Sequence, residues 1–126
     1  LCIANAENKA IGAFNITGLE TLQAVLQAAE SKKEPVILQF AQVHEEEHIM
    51  SLDIIGPIMI MMADQATVPV AVHLDHGVDL HILKKALDMG FTSIMYDGSS
   101  LPYGENIAYT RMAVSMAKEY GASVEA

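Results

Sequence analysis

The sequence contains one cysteine, Cys2. A disulfide within the chain is therefore excluded, and this cysteine usage fits a reducing compartment, so we expect a cytoplasmic protein. Basic residues are also scarce, because 7 Lys and Arg stand against 16 Asp and Glu and leave a formal net charge of −9. Such a chain would repel the phosphates of a nucleic acid, which argues against a nucleic-acid partner.

Long apolar runs are missing as well. The longest, residues 54–63, contains Gly56 and Pro57 and is too short to cross a bilayer. The sequence has no basic segment followed by an apolar one, so it gives no indication of a signal peptide. Linkers and low-complexity segments are also absent. The sequence therefore predicts no membrane partner and a single domain over residues 1–126.

Apolar residues are nevertheless plentiful. They make up 52% of the 126 residues, and the mean hydropathy is +0.28. They occur in short runs that alternate with amphipathic segments, a pattern that predicts repeated strand–helix units. The predicted strands cover residues 10–15, 36–41, 70–77, 93–98 and 123–126. The main predicted helices follow residue 17, run from 51 toward 66, from 79 to 89 and from about 104 to 120.

Local signals mark the ends of these helices. Thr17 and Glu20 have the spacing of a capping box, in which each side chain bonds a backbone amide of the first turn. Asp79 is placed to cap the helix that follows the third strand. Gly90 and Gly121 are placed to end helices.

Successive strand–helix–strand units predict an α/β fold whose helices lie on one side of a parallel sheet. A closed (β/α)8 TIM barrel has eight such units and needs about 250 residues. The chain therefore corresponds to about the first five strands and four helices of that barrel. We expect the natural protein to be longer and to include a C-terminal half that this sequence lacks. A complete doubly wound sheet is the alternative.

The third predicted strand ends in polar residues. Residues 70–74 are apolar except for His73, and Asp75, His76 and Gly77 follow at the carboxyl end, where α/β folds place reacting side chains. Two ionisable groups there are costly unless they are paired or bind a metal. An adjacent carboxylate and imidazole suit metal-assisted proton transfer, although Asp75 could instead cap the next helix. His73 is predicted to be a hydrogen-bonded core histidine.

Residues 44–48, His-Glu-Glu-Glu-His, match the HExxH pattern of zinc peptidases. On a helix, His44 and His48 would lie on one face. The match is short, and it lacks the apolar flanks that bury such a site. A solvated acidic stretch is therefore favoured over a zinc peptidase.

Three motifs are similar to those of the class II ketose-bisphosphate aldolases, the zinc-dependent family that includes fructose-bisphosphate and tagatose-bisphosphate aldolases. They are VHLDHG at residues 72–77, ALDMGFTSIMYDG at 86–98 and SVEA at 123–126, and GAFN at 12–15 resembles the family's start. The resemblance covers nearly the whole chain. It implies a (β/α)8 barrel and the reversible cleavage of a ketose 1,6-bisphosphate to dihydroxyacetone phosphate and an aldehyde.

The same resemblance implies residue roles. Asp75 matches the general acid/base, which takes the proton of the C4 hydroxyl in cleavage. His76 matches a ligand of the catalytic Zn²⁺, which polarises the ketone and stabilises the enediolate. Asp97 matches a carboxylate that binds a second metal or a monovalent cation in some members, although an Asx turn with Gly98 explains it equally well. Asn15 matches a substrate-binding residue at the mouth of the site, or it bonds to its own turn.

The family also implies a phosphorylated sugar as substrate and a homodimer or homotetramer. Many fructose-specific members have Ser at the end of the second strand, where this chain has Ala41 followed by Gln42, so a substrate contact there is lost or rerouted. His76 is one of about three protein ligands that a catalytic zinc needs, and the others would lie beyond Ala126. A half-barrel without activity, serving as a structural or assembly module, is therefore the alternative function.

Overall fold

The computed structural model describes residues 1–126. The strands are β1 Gly12–Asn15, β2 Val36–Ala41, β3 Val70–Gly77, β4 Ser93–Tyr96 and β5 Ser123–Glu125. The helices are α1 Cys2–Ala6, α2 Leu19–Lys32, α3 Val43–Glu46, α4 Leu52–Gln65, α5 Leu80–Met89 and α6 Tyr103–Glu119. Strands and main helices alternate as predicted. The sequence pattern does not predict α1, and α3 is a single short turn after β2.

The five strands form one sheet in the order β1-β2-β3-β4-β5. Every neighbouring pair is parallel and consecutive in the sequence. This arrangement confirms the predicted α/β class with successive strand–helix–strand units. Because such crossovers are right-handed, the helices that join the strands lie on one side of the sheet.

The core lies between the sheet and these helices. Phe40, Leu74 and Ile94 are completely buried, and the register places Phe40 beside Leu74 and Leu74 beside Ile94. They belong to one hydrophobic cluster with buried residues of the helices, among them Leu22, Leu26, Ile55, Met59, Leu83 and Ala113. Burying one such aliphatic side chain stabilises the fold by about 1.5–3 kcal/mol.

The other face of the sheet is polar. The register aligns one residue from each strand in a row across the sheet: Asn15, Gln39, His73, Ser93 and Ser123. Residues paired in this way point to the same face. In a barrel this face is the interior, so Asp75, two residues further along β3 than His73, lies nearer the mouth than the row does.

The ends of α5 confirm the predicted caps. Asp79 Oδ1 accepts hydrogen bonds from the backbone N–H groups of His81 at 2.8 Å and Ile82 at 2.9 Å. Gly90 ends the helix with φ of 101°, in the left-handed region that glycine adopts without a steric penalty. Both ends of this helix thus follow from residues close by in the sequence.

The start of α2 differs from the prediction, and the proposed capping box of Thr17 and Glu20 is wrong. The residue before the helix is Gly18, so the third helical position is Thr21 and not Glu20. Thr21 Oγ1 accepts from the N–H groups of Thr17 at 3.2 Å and Gly18 at 3.1 Å, and donates to Gly18 O at 2.8 Å. The threonine hydroxyl therefore satisfies the amides that the glutamate was expected to reach.

The helix α4 contains Gly56 and Pro57 in its interior. Pro57 has no N–H, so it leaves one helical hydrogen bond unmade. A Cβ atom at Gly56 would lie 2.9 Å from Met89 Sδ and 3.5 Å from Phe91 Cε2, so glycine allows α4 to approach the end of α5. Neither α4 nor any other helix has the length and apolarity needed to cross a membrane.

Candidate active site

The carboxyl end of β3 is irregular, and this irregularity presents two polar side chains together. The register with β4 passes from Leu74–Ile94 to Gly77–Tyr96, so β3 has one residue more than β4 over this interval. Such a β-bulge re-aims side chains at the rim of a sheet. His76 takes φ of 48°, a left-handed conformation that costs a non-glycine residue about 1–3 kcal/mol and persists only where its surroundings hold it.

Asp97 holds the imidazole of His76. The distance from His76 Nδ1 to Asp97 Oδ2 is 2.7 Å, and Asp97 Oδ1 accepts from the backbone N–H of Ser99 at 3.0 Å. Asp97 therefore forms the turn contact expected of an Asx residue with one oxygen and bonds His76 with the other. Each oxygen keeps a second lone pair, so these two contacts do not exclude a metal at Asp97.

The pair has coupled electrostatics. Hydrogen bonds from Ser99 and then from His76 lower the pKa of Asp97 from 3.8 to about 2. The hydrogen bond to Asp97 raises the pKa of His76 above its usual 6.5. Because the ionised carboxylate can only accept, the proton between the two groups lies on His76 Nδ1. When the ring is neutral, Nε2 is therefore the nitrogen that accepts.

Asp75 lies beside this free nitrogen. The distance from Asp75 Oδ1 to His76 Nε2 is 4.0 Å, which is beyond hydrogen-bond length. The side chain of His76 is 58% exposed and that of Asp75 is 14% exposed. The Asp75 carboxylate and His76 Nε2 thus face one location at the rim without a hydrogen bond between them.

The donor set fits one ligand position of a zinc site. A neutral imidazole that donates Nδ1–H to a carboxylate and presents Nε2 is the usual arrangement of a metal-ligating histidine. No group of three or more His, Cys, Asp or Glu side chains in the structure is placed to hold a metal ion. The geometry of His76 therefore fits one of the three protein ligands that a catalytic zinc takes.

His73 occupies the interior position that the sequence predicts. Its Nδ1 lies 2.8 Å from Ser93 Oγ. Its Nε2 is buried without a hydrogen-bond partner, 3.8 Å from Glu125 Oε2. Burial lowers the pKa of His73 below 6.5, against the opposing effects of Asp75 and Glu125. The ring is therefore neutral at pH 7 and lies one row below Asp75.

This burial predicts a pH dependence of stability. Below pH 6.5 unfolded His73 takes up a proton that the folded ring resists, so the free energy of unfolding should fall as the pH drops below 6.5. His76 acts in the opposite window, because its raised pKa gives stability that is lost as the pH rises above 6.5. Thermal unfolding of wild type and His73→Gln between about pH 7.5 and about pH 5 measures the first effect. The variant should show a shallower loss toward acid, and parallel curves would contradict the assignment.

Other candidate residues lie elsewhere. Asn15 ends β1 and pairs with Gln39, so it belongs to the row of His73 and not to the rim with Asp75. His44 is buried in α3, with its ring edge-on to Phe40 at 5.5 Å between centroids. His48 follows the end of α3 with φ of 54°, so the two imidazoles do not share a helix face. The zinc-peptidase interpretation is therefore wrong, because the helix that the motif needs ends at Glu46.

Sequence reasoning missed the contribution of Gln42. This residue is buried, and its Oε1 accepts from the backbone N–H of Val78 at 2.8 Å, directly after the β3 bulge. The two residues are separated by 36 positions, so no local pattern predicts the contact. The available signal was a polar residue directly after a buried strand end.

Comparisons with known proteins bear on the family and the fold. The family model described as fructose-bisphosphate aldolase class-II matches residues 1–126. A fructose-bisphosphate aldolase of Geobacillus stearothermophilus is 43% identical over 118 residues, which are 93% of this chain and 41% of that protein. A 6-phospho-5-dehydro-2-deoxy-D-gluconate aldolase of Shouchella clausii is 40% identical over 127 residues, covering 99% of this chain and 43% of that protein.

A solved structure gives the same result. The crystal structure of the YdjI aldolase from Escherichia coli K12 superimposes with a TM-score of 0.91 at 36% identity, over 98% of this chain and 47% of that one. The chain thus spans less than half the length of the relatives that it matches. The predicted fold is confirmed: five parallel strands with alternating helices form about half of a (β/α)8 barrel.

Proposed function

Because the chain belongs to the class-II fructose-bisphosphate aldolase family, we propose that it provides the acid/base group and one metal ligand of an aldolase. The reaction is the reversible cleavage of a ketose 1,6-bisphosphate to dihydroxyacetone phosphate and an aldehyde. The observation that carries the proposal is the placement of Asp75 and His76 Nε2 at one location on the rim, with His76 fixed by Asp97.

The residues divide the work. Asp75 takes the proton of the C4 hydroxyl while the C3–C4 bond breaks, and it returns that proton to the aldehyde oxygen in condensation. Asp97 holds Nδ1–H of His76, so Nε2 is the coordinating atom. The chemistry that bound zinc supplies here is polarisation of the substrate ketone, which takes the place of a Schiff base. The limited exposure of Asp75 restricts the access of water to its carboxylate.

A second metal or a monovalent cation at Asp97 is also part of the proposal. Both oxygens of Asp97 already accept hydrogen bonds, from His76 and from Ser99. Each oxygen accepts one hydrogen bond in this way and keeps a second lone pair, so a cation can bind Asp97 beside the His76 contact.

The substrate is proposed to be a phosphorylated sugar, with fructose and tagatose 1,6-bisphosphate as the first candidates. Ala41 has no hydroxyl to offer to a phosphate oxygen, and Ala41 pairs directly with Asp75 in the sheet. Asn15 is the residue proposed to contact substrate, from the exposed end of β1. The aldolase of Shouchella clausii named above makes 6-phospho-5-dehydro-2-deoxy-D-gluconate a third compound to test.

The rest of the proposal concerns the whole protein. The remaining zinc ligands are proposed to come from polypeptide outside these 126 residues, in the other half of the barrel. The family resemblance supports a cytoplasmic enzyme that is a homodimer or homotetramer. A half-barrel that acts only in assembly stays the alternative.

Metal removal tests this function. The natural polypeptide that carries this chain is assayed for the release of dihydroxyacetone phosphate from each of the three candidate substrates, before and after dialysis against EDTA. Because a Lewis acid supplies several kcal/mol of transition-state stabilisation, chelation should lower the rate by at least about 100-fold, and added Zn²⁺ should restore it. Cleavage that survives chelation would contradict the metal-dependent mechanism. Absence of cleavage with every substrate would favour the assembly module.

A further inference from the structure

Gln42 makes hydrogen bonds with all of its polar groups. It follows β2 directly and is only 7% exposed. Its backbone N–H donates to the carbonyl of Asp75 at 3.2 Å, and its Oε1 accepts from Val78 N–H at 2.8 Å. Its Nε2 donates to Glu46 Oε1 at 2.7 Å. A buried amide that is satisfied at both ends has one orientation, because any other would leave a polar atom without a partner.

The two contacts that Gln42 makes with β3 and with the residue directly after it fall on either side of His76. One is made to the carbonyl of the residue before it and the other to the amide of Val78, two residues after it. The neighbouring strand holds the segment from the other side, because Asp97 N–H donates to Gly77 O at 2.8 Å. His76 keeps its left-handed backbone, with φ of 48°, between these anchors.

We propose that Gln42 is a positioning residue for the rim of the site. Its backbone N–H donates to the Asp75 carbonyl and its side-chain oxygen accepts from the Val78 amide. Together these bonds hold the β3 bulge so that the Asp75 carboxylate and His76 Nε2 face the same ligand. The inference rests on the function proposed above for Asp75 and His76. Gln42 is turned into the protein, so it does not replace the substrate contact that Ala41 lacks.

Glu46 allows this role to be separated from general packing. Gln42→Met removes both hydrogen bonds of the side-chain amide, to Val78 and to Glu46, and keeps a similar side-chain volume. Gln42→Glu keeps an acceptor for Val78 but sets a second carboxylate against Glu46. The double variant Gln42→Glu/Glu46→Gln restores a donor–acceptor pair with the two groups exchanged. Gln27→Met, on the exposed side of α2, is the matched control for the chemical change.

Two measurements carry the test. On the natural polypeptide freed of metal, amide hydrogen exchange at Val78 should be about tenfold faster in Gln42→Met, relative to amides of α2, because its hydrogen-bond acceptor is gone. On the natural polypeptide, Zn²⁺ affinity measured by chelator competition should fall about tenfold or more, and kcat should fall by a similar factor with KM within about twofold. The double variant should recover most of the loss seen in Gln42→Glu. Gln27→Met should change none of these quantities.

Wild-type exchange at Val78 together with wild-type Zn²⁺ affinity in Gln42→Met would overturn the inference. If that variant does not fold, the comparison of Gln42→Glu with the double variant decides, and equal losses in the two would overturn it. Failure of the proposed function can be distinguished from failure of this inference. In the first case the wild-type protein itself shows no chelator-sensitive cleavage. The effect on Val78 exchange does not depend on catalysis.

Discussion

Replacing Asp75 with Asn is expected to lower kcat for aldol cleavage by about 10²–10⁴-fold, the range that one positioned acid or base contributes. The amide keeps the size of the carboxylate but cannot accept the proton of the C4 hydroxyl. The coordinating atom of the site is His76 Nε2, which lies 4.0 Å from Asp75 Oδ1, so the substitution should leave that ligand in place. Steady-state kinetics and the bound zinc content of the same preparation measure the two consequences.

The control for this substitution is Asp64→Asn, on the exposed surface of α4. It makes the same chemical change far from the rim and should keep the wild-type rate. Asp75→Asn with a full complement of zinc and a low kcat would separate proton transfer from metal binding. If Asp75→Asn turns over at the wild-type rate, the role assigned to Asp75 is wrong.

The parts of the fold that the sequence predicts correctly are those decided by nearby residues. Alternating apolar runs give β2 at residues 36–41, and the observed strand is Val36–Ala41. The cap of α5 follows from Asp79, because its carboxylate reaches amides only two and three residues ahead. Parallel order follows from the repeated strand–helix pattern, since consecutive crossovers allow few other topologies.

Predictions near the helix starts fail where a shift of one residue in the first helical position changes which side chain caps the helix. Thr17 and Glu20 have the right spacing for a capping box, but the helix starts one position later, and Thr21 makes the contacts. The helix α1 has no side-chain cap and no buried residue, so neither a capping signal nor an apolar stripe marks it. Weak local preferences of this kind are decided by the surrounding chain.

The sequence nominates the residues of the candidate site but does not predict their contacts. A polar ending on an apolar strand identifies Asp75 and His76 as candidates, because ionisable groups there need a partner. The partner of His76 is Asp97, 21 positions away, and only the pairing of β3 with β4 brings the two together. The bulge in β3 has no signal in the sequence, since it depends on the register with β4.

Replacing Gly77 with Ala is expected to destabilise the chain by about 1–3 kcal/mol, the usual cost of overpacking, and to lower Tm by roughly 4–12 °C. An added Cβ would overlap Leu83 Cδ1 and would lie 3.0 Å from the carbonyl oxygen of Met95 and 3.2 Å from Leu74 Cδ2. Leu83 and Leu74 are completely buried, and the Met95 oxygen belongs to the backbone of β4, so none of the three can move freely. Thermal unfolding followed by circular dichroism measures the shift.

The matched control is Gly104→Ala in the first turn of α6, where an added Cβ would meet nothing within 4 Å. The unfolded chain loses conformational freedom on this substitution, so the control should be unchanged or more stable by about 0.4–1 kcal/mol. The Gly77 variant should also loosen the rim, because Gly77 O accepts from Asp97 N–H and Asp97 in turn holds His76. Equal Tm values for Gly77→Ala and wild type would mean that the space between β3, β4 and α5 is not filled as the structure places it.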